Sequence, residues 1–241
     1  MDDTSTNNES SVRSIFIRTV DEILKDKELD YEKRKCEDQY VAIVEITKHK
    51  VEYVINEIES RDENKIKEIE KFDIPTIALV LESPHKREYY NIPSPARGIT
   101  GSNINSCFLG ALAKFISIND MKEHGAFFIS SSKISEGKYK LLLINAIQYQ
   151  CSLGKLGIDN RKQKEDIFCK VWCAGGKKDF VSRLKKACPR IIINCCTGEK
   201  KRENTLMGKV QDAIDENFAG SLRLTGVHPS SAWFARGFEQ L

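Results

Sequence analysis

The spacing of apolar residues divides the chain at about Asp73. Before that point the apolar positions recur at helical intervals, which is typical of amphipathic helices. One such pattern runs from Ser11 to Lys27 after a serine cap, and a longer one runs from about Asp38 to Phe72. The polar residues 1–10 are predicted to be disordered. Residues 1–72 are therefore predicted to form a helical N-terminal extension.

The end of the longer pattern, "RDENKIKEIEKF", is rich in charged residues. Two interpretations stay open for this segment. It is either a solvated continuation of the helix before it, or a separate segment that follows a break near Arg61 and Asp62.

After Asp73 the pattern changes to short apolar segments that alternate with helical ones. Four segments are apolar on both faces, which predicts strands of a central sheet covered on both sides. They are "TIALVL" (76–81), "YKLLLINAI" (139–147), "RIIINCC" (190–196) and "SLRLTGV" (221–227). Helices are predicted between them at 104–118, 163–172, 178–188 and 205–218. This alternation predicts an α/β domain over residues 73–241.

Each predicted strand ends in a polar or glycine-rich group. These groups are, in chain order, Glu82-Ser83-Pro84-His85, Asn145, Thr197-Gly198, and His228 to Trp233. Taken singly, each has an ordinary structural explanation, such as a helix cap, a turn or a histidine held in the core. Because parallel strands end at one rim of a sheet, their joint occurrence predicts a ligand-binding cleft at that rim.

Composition and charge set only wide limits on function. The chain has 241 residues, of which 40% are hydrophobic and 30% charged, so it contains enough apolar material for a sizeable core. A net charge of +3 neither requires nor excludes a polyanionic partner. No secretory signal is visible at the N-terminus, and no apolar run approaches the ~18 residues that a membrane span needs. We therefore expect a cytoplasmic protein with no membrane partner.

The 8 cysteines allow two interpretations. Without export the thiols should be reduced, so a disulfide framework is not expected. Cys169 and Cys173 lie one helical turn apart, and Cys188, Cys195 and Cys196 follow, which leaves a metal or iron–sulfur site open. The spacing matches no CxxC pair, and adjacent cysteines on a strand would face opposite ways. Buried structural thiols, with no metal bound, are the favoured interpretation.

The polar strand ends resemble motifs of the uracil-DNA glycosylase superfamily over about residues 74–241. "LESPHK" resembles the family's first motif, GQDPYH, and "GITGSN" resembles the segment that closes over the base and touches the phosphates. "LLLINAIQ" is similar to the LLLNAVLT strand, and "GVHPSSAW" is similar to the last motif, HPSPLS. "IIINCCTG" falls where the family has an apolar strand that ends in glycine. The order and spacing of the motifs carry the resemblance.

The resemblance implies a fold, an activity and a partner. The fold is a three-layer α/β/α sandwich around a central, mainly parallel sheet of four strands. The activity is that of a monofunctional DNA glycosylase, which hydrolyses the N-glycosidic bond of a flipped-out base and leaves an abasic site. The partner is duplex DNA. No cofactor is implied, and a monomer is expected.

Matched positions give individual residues their expected roles. His228 corresponds to the histidine that donates a hydrogen bond to the departing base, and Asn145 corresponds to the asparagine that recognises the base edge. The base pocket would be completed by His85, Ile99 and Gly101. Small polar side chains, backbone N–H groups and one arginine would bind DNA phosphates. These residues are Ser102, Asn103, Thr197, Ser230, Ser231 and Arg236. Lys86, Arg87, Arg97 and Arg236 are expected either to add a positive rim or to be ordinary surface charges.

Departures from the family's motifs concern both the water and the base. The aspartate that activates water falls at Ser83, whose hydroxyl is no base at neutral pH, so Glu82 is favoured for this role and His85 is the alternative. The tyrosine that excludes a 5-methyl group falls at His85, and the stacking phenylalanine falls near Gly101. Losing an aromatic forfeits roughly 1–3 kcal/mol of stacking per base. A larger, more polar pocket therefore predicts a pyrimidine with a bulky 5-substituent.

Such a substrate would be hydroxymethylcytosine or its glucosylated form, as for the bacterial anti-phage glycosylases of the superfamily that attack modified viral DNA. The family's wedge leucine falls at Ala232, so Trp233 or Phe234 is the predicted wedge, with core packing as the alternative for Trp233. Other functions stay open. They are a uracil-excising repair glycosylase, a non-catalytic reader of modified or single-stranded DNA, and a hydrolase of free nucleosides or nucleotides.

Overall fold

One mixed β-sheet organises the chain. The structure, a computed structural model, describes residues 4–25, 31–48, 50–124, 134–151, 158–198, 205–232 and 234–240. The strands are β1 (Gln39–Ile46), β2 (Val51–Asn56), β3 (Thr76–Leu81), β4 (Gly137–Asn145), β5 (Ile191–Asn194), β6 (Leu222–Thr225) and β7 (Glu239–Gln240). The helices are α1 (Thr4–Leu24), α2 (Glu63–Lys71), α3 (Ile99–His124), α4 (Ile158–Val171), α5 (Lys177–Ala187) and α6 (Leu206–Asn217). The strand order is β2-β1-β4-β3-β5-β6-β7, which establishes the α/β class.

The four strands predicted after Asp73 are parallel to one another and adjacent in the sheet. β3 lies between β4 and β5, and β6 follows β5. Leu81 of β3 is in register with Asn145 of β4, and Asn194 of β5 is in register with Thr225 of β6. All four strands therefore end at one side of the sheet, which we call the carboxyl edge.

The prediction of a four-stranded, mainly parallel sheet is too small. β1 and β2 add an antiparallel hairpin at one side of the sheet, and β7 pairs antiparallel with β6 at the other. β7 contains only two residues, Glu239 and Gln240, which is too short for any periodic pattern.

The predicted helix from Asp38 to Phe72 is wrong over its first half. Residues 39–46 and 51–56 are strands, and β1 pairs with β4, so this segment belongs to the same sheet as residues 73–241. β1 is buried over most of its length and rich in β-branched residues, which favour strands over helices. Short apolar runs of this kind are ambiguous by spacing alone.

The second half of that pattern confirms the interpretation with a break. α2 begins at Glu63, directly after Asp62, whose side chain accepts hydrogen bonds from the N–H groups of Asn64 and Lys65. Arg61 has a positive φ of 54°, which ends the preceding segment. α2 buries Ile66 and Ile69 beside β1.

α1 confirms the first helical pattern and corrects its beginning. The helix begins at Thr4, inside the segment predicted to be disordered, and ends at Leu24. Val12, Phe16 and Val20 are spaced four residues apart and buried in one apolar cluster, so they line one face of the helix. Packing of this face explains why α1 is held against α4.

Two apolar clusters lie on opposite faces of the sheet. Ala78 and Val80 of β3 belong to the cluster that contains apolar residues of α1, α4, α5 and α6. Leu79 and Leu81 belong to the cluster that contains Phe108 of α3. This alternation follows from the pleat of a strand and leaves the carboxyl edge as the place where loops gather. Among the helices that the structure describes, none is long and apolar enough to cross a membrane.

Candidate functional site

A buried ion pair joins β3 to α4 at the carboxyl edge. Glu82 directly follows β3, and its side chain is only 2% exposed. Its Oε1 lies 2.5 Å from Nζ of Lys164, and its Oε2 accepts a hydrogen bond of 3.3 Å from the N–H of Thr197. Because a buried carboxylate is costly without partners, these two contacts partly compensate the burial of Glu82.

His228 lies in the electrostatic field of this pair. Burial is the main cause that lowers the pKa of His228 to about 4; the positive charge of Lys164 lowers it further, and the Glu82 carboxylate partly offsets both. The imidazole is therefore neutral at pH 7. The structure thus brings together Glu82 and His228, as predicted, and adds Lys164 to them.

The contacts of His228 define which ring nitrogen carries the proton. The N–H of Ser230 donates to Nδ1 over 3.2 Å, and the Ser230 hydroxyl lies 2.8 Å from the same atom. An Nδ1 atom that accepts a hydrogen bond from a backbone N–H carries no proton, so the neutral ring is protonated at Nε2. Nε2–H is consequently the donor that this ring can offer to a ligand.

The loop that carries His228 is fastened to α3. The Asn103 side-chain amide donates to the carbonyl of Pro229 over 2.6 Å, and the N–H of Ser231 donates to the carbonyl of His228 over 2.9 Å. Asn103 was predicted to bind a DNA phosphate, but in the structure its amide holds the last motif in place. The first turn of α3 and the loop that carries His228 are therefore joined by a hydrogen bond.

Asn145 is buried at the end of β4 with an unsatisfied acceptor. The residue is 1% exposed, and its amide nitrogen donates to Sγ of Cys36 over 3.8 Å. Its Oδ1 is buried and accepts no hydrogen bond from the described residues, and the same holds for Oε1 of Gln148 three residues later. A buried acceptor without a hydrogen bond costs about 1–3 kcal/mol of stability, and a donor from a ligand or a water would remove this penalty.

Asn145 does not contact the other two predicted residues. As the register partner of Leu81, it points to the α3 face of the sheet, whereas Glu82 is the next residue along β3 and reaches α4 on the opposite face. Within the described residues, no hydrogen bond joins Asn145 to Glu82 or to His228. The three residues share the carboxyl edge but approach it from two sides.

Two buried thiols lie around Glu82. Burial raises the pKa of Cys151 and of Cys196, and the Glu82 carboxylate raises both further. The Ser83 hydroxyl lies beside the Cys151 thiol and lowers the pKa of that thiol slightly against the effect of burial. Protonated, buried thiols are poor nucleophiles, so the chemistry of the site rests on the ion pair and the histidine.

His85 caps a short turn instead of facing Glu82 directly. It precedes the 3-10 turn Lys86–Tyr89, where its Nδ1 accepts from the N–H of Arg87 over 3.3 Å and its own N–H donates to Oε2 of Glu88 over 2.8 Å. Burial and the positive charges of Arg87 and Lys164 lower the pKa of His85. A capping role explains the position of this histidine.

Gly101 is required by close packing at the start of α3. A Cβ atom at this position would lie 2.1 Å from the carbonyl oxygen of Ala96, a distance that real side chains do not show. Ile99 is 61% exposed at the beginning of the helix, and the exposed Ser102 donates its N–H to the carbonyl of Gly98. Gly101 therefore sets the shape of this loop, and Ile99 and Ser102 present themselves to solvent.

The remaining predicted residues spread along the same edge. The N–H of Thr197 donates a hydrogen bond to Glu82. Ser230 is exposed beside His228, and Arg236 is exposed on the 3-10 turn Phe234–Arg236. Phe234, the alternative wedge, is 1% exposed and packs against Phe238, so the structure places it in the core. Trp233 lies outside the described residues.

Sequence reasoning missed two residues that build the site. Lys164 is one of two lysines on the predicted helix 163–172, and nothing in the sequence marks it as the partner of Glu82. Arg183 of α5 donates to the carbonyls of Asn145 and Ala146 over 3.0 and 3.3 Å and forms an ion pair with Asp38. It therefore holds the end of β4, a role that depends on two distant segments meeting.

The cysteines are free thiols in the part of the chain that the structure describes. Cys195 and Cys196 are buried, whereas Cys173 and Cys188 are exposed. Among those same residues, no three or more histidines, cysteines, aspartates or glutamates are grouped so that they could hold a metal ion.

Comparisons with known proteins add no family to this picture. No protein-family model matches the chain, and no curated protein or solved structure matches it significantly. The fold and the site define an α/β protein that carries a buried carboxylate, an ammonium group and a neutral imidazole at the carboxyl edge of its parallel strands.

Proposed function

We propose that the chain is a monofunctional DNA glycosylase of the uracil-DNA glycosylase superfamily. The observation that supports this most is the neutral His228, with its proton on Nε2, beside the buried Glu82–Lys164 pair. Hydrolysis of a glycosidic bond develops positive charge on the sugar and negative charge on the base. A carboxylate and a neutral donor at one strand edge match these two demands.

The reaction assigns separate tasks to the two groups. The bond between the sugar carbon and the base nitrogen breaks, and its electron pair stays with the base. The Nε2–H of His228 donates to the base oxygen that gains negative charge, and the Lys164 ammonium adds a favourable field. Glu82 orients a water beneath the sugar and stabilises the sugar's positive charge. The water's oxygen bonds to the sugar carbon, and its proton leaves through Glu82.

Asn145 favours a substrate base that carries an N–H donor at its edge. Its buried Oδ1 needs such a donor, since the described residues supply none. Uracil N3–H and the exocyclic amine of cytosine both qualify. The replacement of the family's tyrosine at His85 and of its stacking phenylalanine near Gly101 favours a bulky 5-substituted pyrimidine, such as glucosylated hydroxymethylcytosine of phage DNA. The base would lie across the end of β3 and β4, between the two sides from which Glu82 and Asn145 approach.

The experiment compares base release from matched duplexes. The duplexes carry uracil, cytosine, hydroxymethylcytosine or glucosylated hydroxymethylcytosine at one position, and abasic sites are detected by alkaline strand cleavage. We expect release from the modified cytosine, reduced at least roughly 100-fold by Glu82→Gln and by His228→Ala. Glu216→Gln, a surface ion-pair residue distant in sequence from the motifs, is the matched control. Release from uracil alone would support a repair glycosylase and reject the modified-base substrate.

A non-catalytic reader of modified DNA is the second candidate. It is favoured by the 2.5 Å contact between Oε1 of Glu82 and Nζ of Lys164, because this ion pair occupies the carboxylate that would have to hold the water. Tight binding of the modified duplex without any abasic product would establish this function. The duplex-DNA partner, the monomeric state and the cytoplasmic location remain parts of the same proposal.

A further inference from the structure

A cavity rich in arginine lies at the beginning of α3. Its volume is about 390 Å³. Three arginines from separate segments line it, namely Arg61 before α2, Arg87 after β3, and Arg97 before α3. The exposed ring of Tyr90, which is 68% exposed, lines the same cavity.

The positive charges of this cavity are only partly compensated. Across the described ranges, none of the three arginines forms an ion pair with a carboxylate, and the Nε atoms of Arg61 and Arg97 are buried without a hydrogen-bond acceptor. Arg61 donates instead to the backbone carbonyl of Pro95 over 2.7 Å. Burial and the neighbouring Arg97 lower the pKa of Arg61 to about 10. Two like charges are thus held together in a buried place, which favours an anion between them.

The nearby carboxylates are committed to other partners. Glu88 is buried and accepts hydrogen bonds from the backbone N–H groups of His85 and Ala96. Glu59, which also lines the cavity, accepts from the side-chain amide of Asn105 over 3.1 Å. Glu88 attracts Arg61 electrostatically, but its position is fixed by the backbone it holds.

The backbone around the cavity is shaped for close approach. Gly98 adopts a positive φ of 74° next to the side chain of Arg87, and Gly101 has no room for a Cβ atom. Both glycines and Ser102 line the cavity at the beginning of α3, where the helix dipole adds to the positive charge. Three arginines, a helix start and an open aromatic ring are features that together favour a nucleotide phosphate.

We propose that Arg61, Arg87 and Arg97 bind a phosphate group of a nucleotide, with Tyr90 available to stack on its base. The phosphate belongs either to a DNA strand that crosses the carboxyl edge or to a free nucleotide. The site does not require the proposed base excision, since its contacts lie outside the Glu82–Lys164–His228 cluster.

The first arm of the test measures binding of fluorescein-labelled, unmodified duplex and single-stranded DNA by anisotropy between 50 and 300 mM salt, at roughly six concentrations. Arg87→Gln and Arg97→Gln are each expected to weaken binding roughly tenfold and to reduce the salt slope by about one. Arg18→Gln, an exposed arginine on α1, is the matched control and should leave both unchanged. Tyr90→Ala should weaken the single strand more than the duplex.

The second arm measures the melting temperature with inorganic phosphate and with a deoxynucleoside monophosphate. A rise in the wild type that disappears in Arg97→Gln, while DNA binding is unaffected, assigns the site to a free nucleotide. If neither arginine variant changes DNA binding or the phosphate effect, the proposal is overturned. Arg87→Gln keeps the test decisive if Arg97→Gln does not fold, because Arg87 is exposed. Base release is not measured here, so a chain inactive on every modified duplex can still bind through this site.

Discussion

Nζ of Lys164 lies 2.5 Å from Oε1 of Glu82, whose side chain is 2% exposed. The lysine comes from α4 and the glutamate from the end of β3, so the pair fastens a helix to the carboxyl edge of the sheet. A pair of this kind is weak evidence for added stability, because desolvation of both charges offsets their attraction. Its clearer consequence is that removing only one of the two charges lowers the free energy of unfolding.

Removing the Lys164 ammonium group should therefore destabilise the fold. We expect Lys164→Met to lower the free energy of unfolding by about 3 kcal/mol, since it leaves a buried carboxylate without its counter-charge. Urea unfolding at pH 7 measures this. The double variant with Glu82→Gln should recover much of the loss, and equal losses in the single and double variants would contradict the coupling of the pair.

The lowered pKa of His228 predicts a dependence of stability on pH. The unfolded chain binds a proton at this residue below about pH 6.5, whereas the folded chain binds it only below about pH 4. The contribution of His228 to folding is therefore fully present above pH 6.5 and decreases as the pH falls towards 4. The difference in unfolding free energy between the wild type and His228→Gln should shrink over this range. An NMR titration of the imidazole with a midpoint above 6.5 would contradict the assignment.

The raised pKa of Glu88 predicts the opposite trend. Burial raises it to about 7, although backbone N–H groups and Arg61 favour the charged form. Between about pH 4.5 and 7 the folded chain binds a proton that the unfolded chain has lost, so the contribution of Glu88 decreases as the pH rises. The advantage of the wild type over Glu88→Gln should fall by up to about 3 kcal/mol between pH 4.5 and 8. Urea unfolding at several pH values tests this, and an advantage that grows with pH would reject it.

Two glycines of α3 provide a matched pair for the packing argument. Gly101→Ala should destabilise the protein, because the new Cβ would collide with the carbonyl of Ala96. Gly110→Ala, in the same helix with no atom within 4 Å of the new Cβ, should stabilise it by up to about 1 kcal/mol. Thermal or urea unfolding of both variants compares them directly. Equal effects would show that the loop before α3 can move aside.

The strands that form the parallel part of the sheet were predictable because burial on both faces leaves a signal in a short window. β3 was predicted with its observed bounds, 76–81, and β4 to β6 were predicted to within a few residues. β1 was not, because Val41 and Val44 fit a helical spacing as well as an extended one. Only pairing with β4 decides between them, and that contact lies about 100 residues away in sequence.

The candidate site divides in the same way. Glu82, Asn145 and His228 could be selected from the sequence because each follows an apolar strand, and parallel strands end together. Their partners could not be selected. Lys164 and Arg61 are ordinary charged residues until α4 and the segment before α2 bring them to the edge.

The sequence alone determined that an α/β fold with polar groups at the strand ends would form, because local patterns of apolar and polar residues decide which segments become buried strands. The tertiary structure alone decided that Glu82 is paired with Lys164, that Asn145 approaches the edge from the opposite face, and that three arginines share one cavity. Those relationships depend on the directions in which side chains leave distant segments, and no local pattern in the chain records such directions.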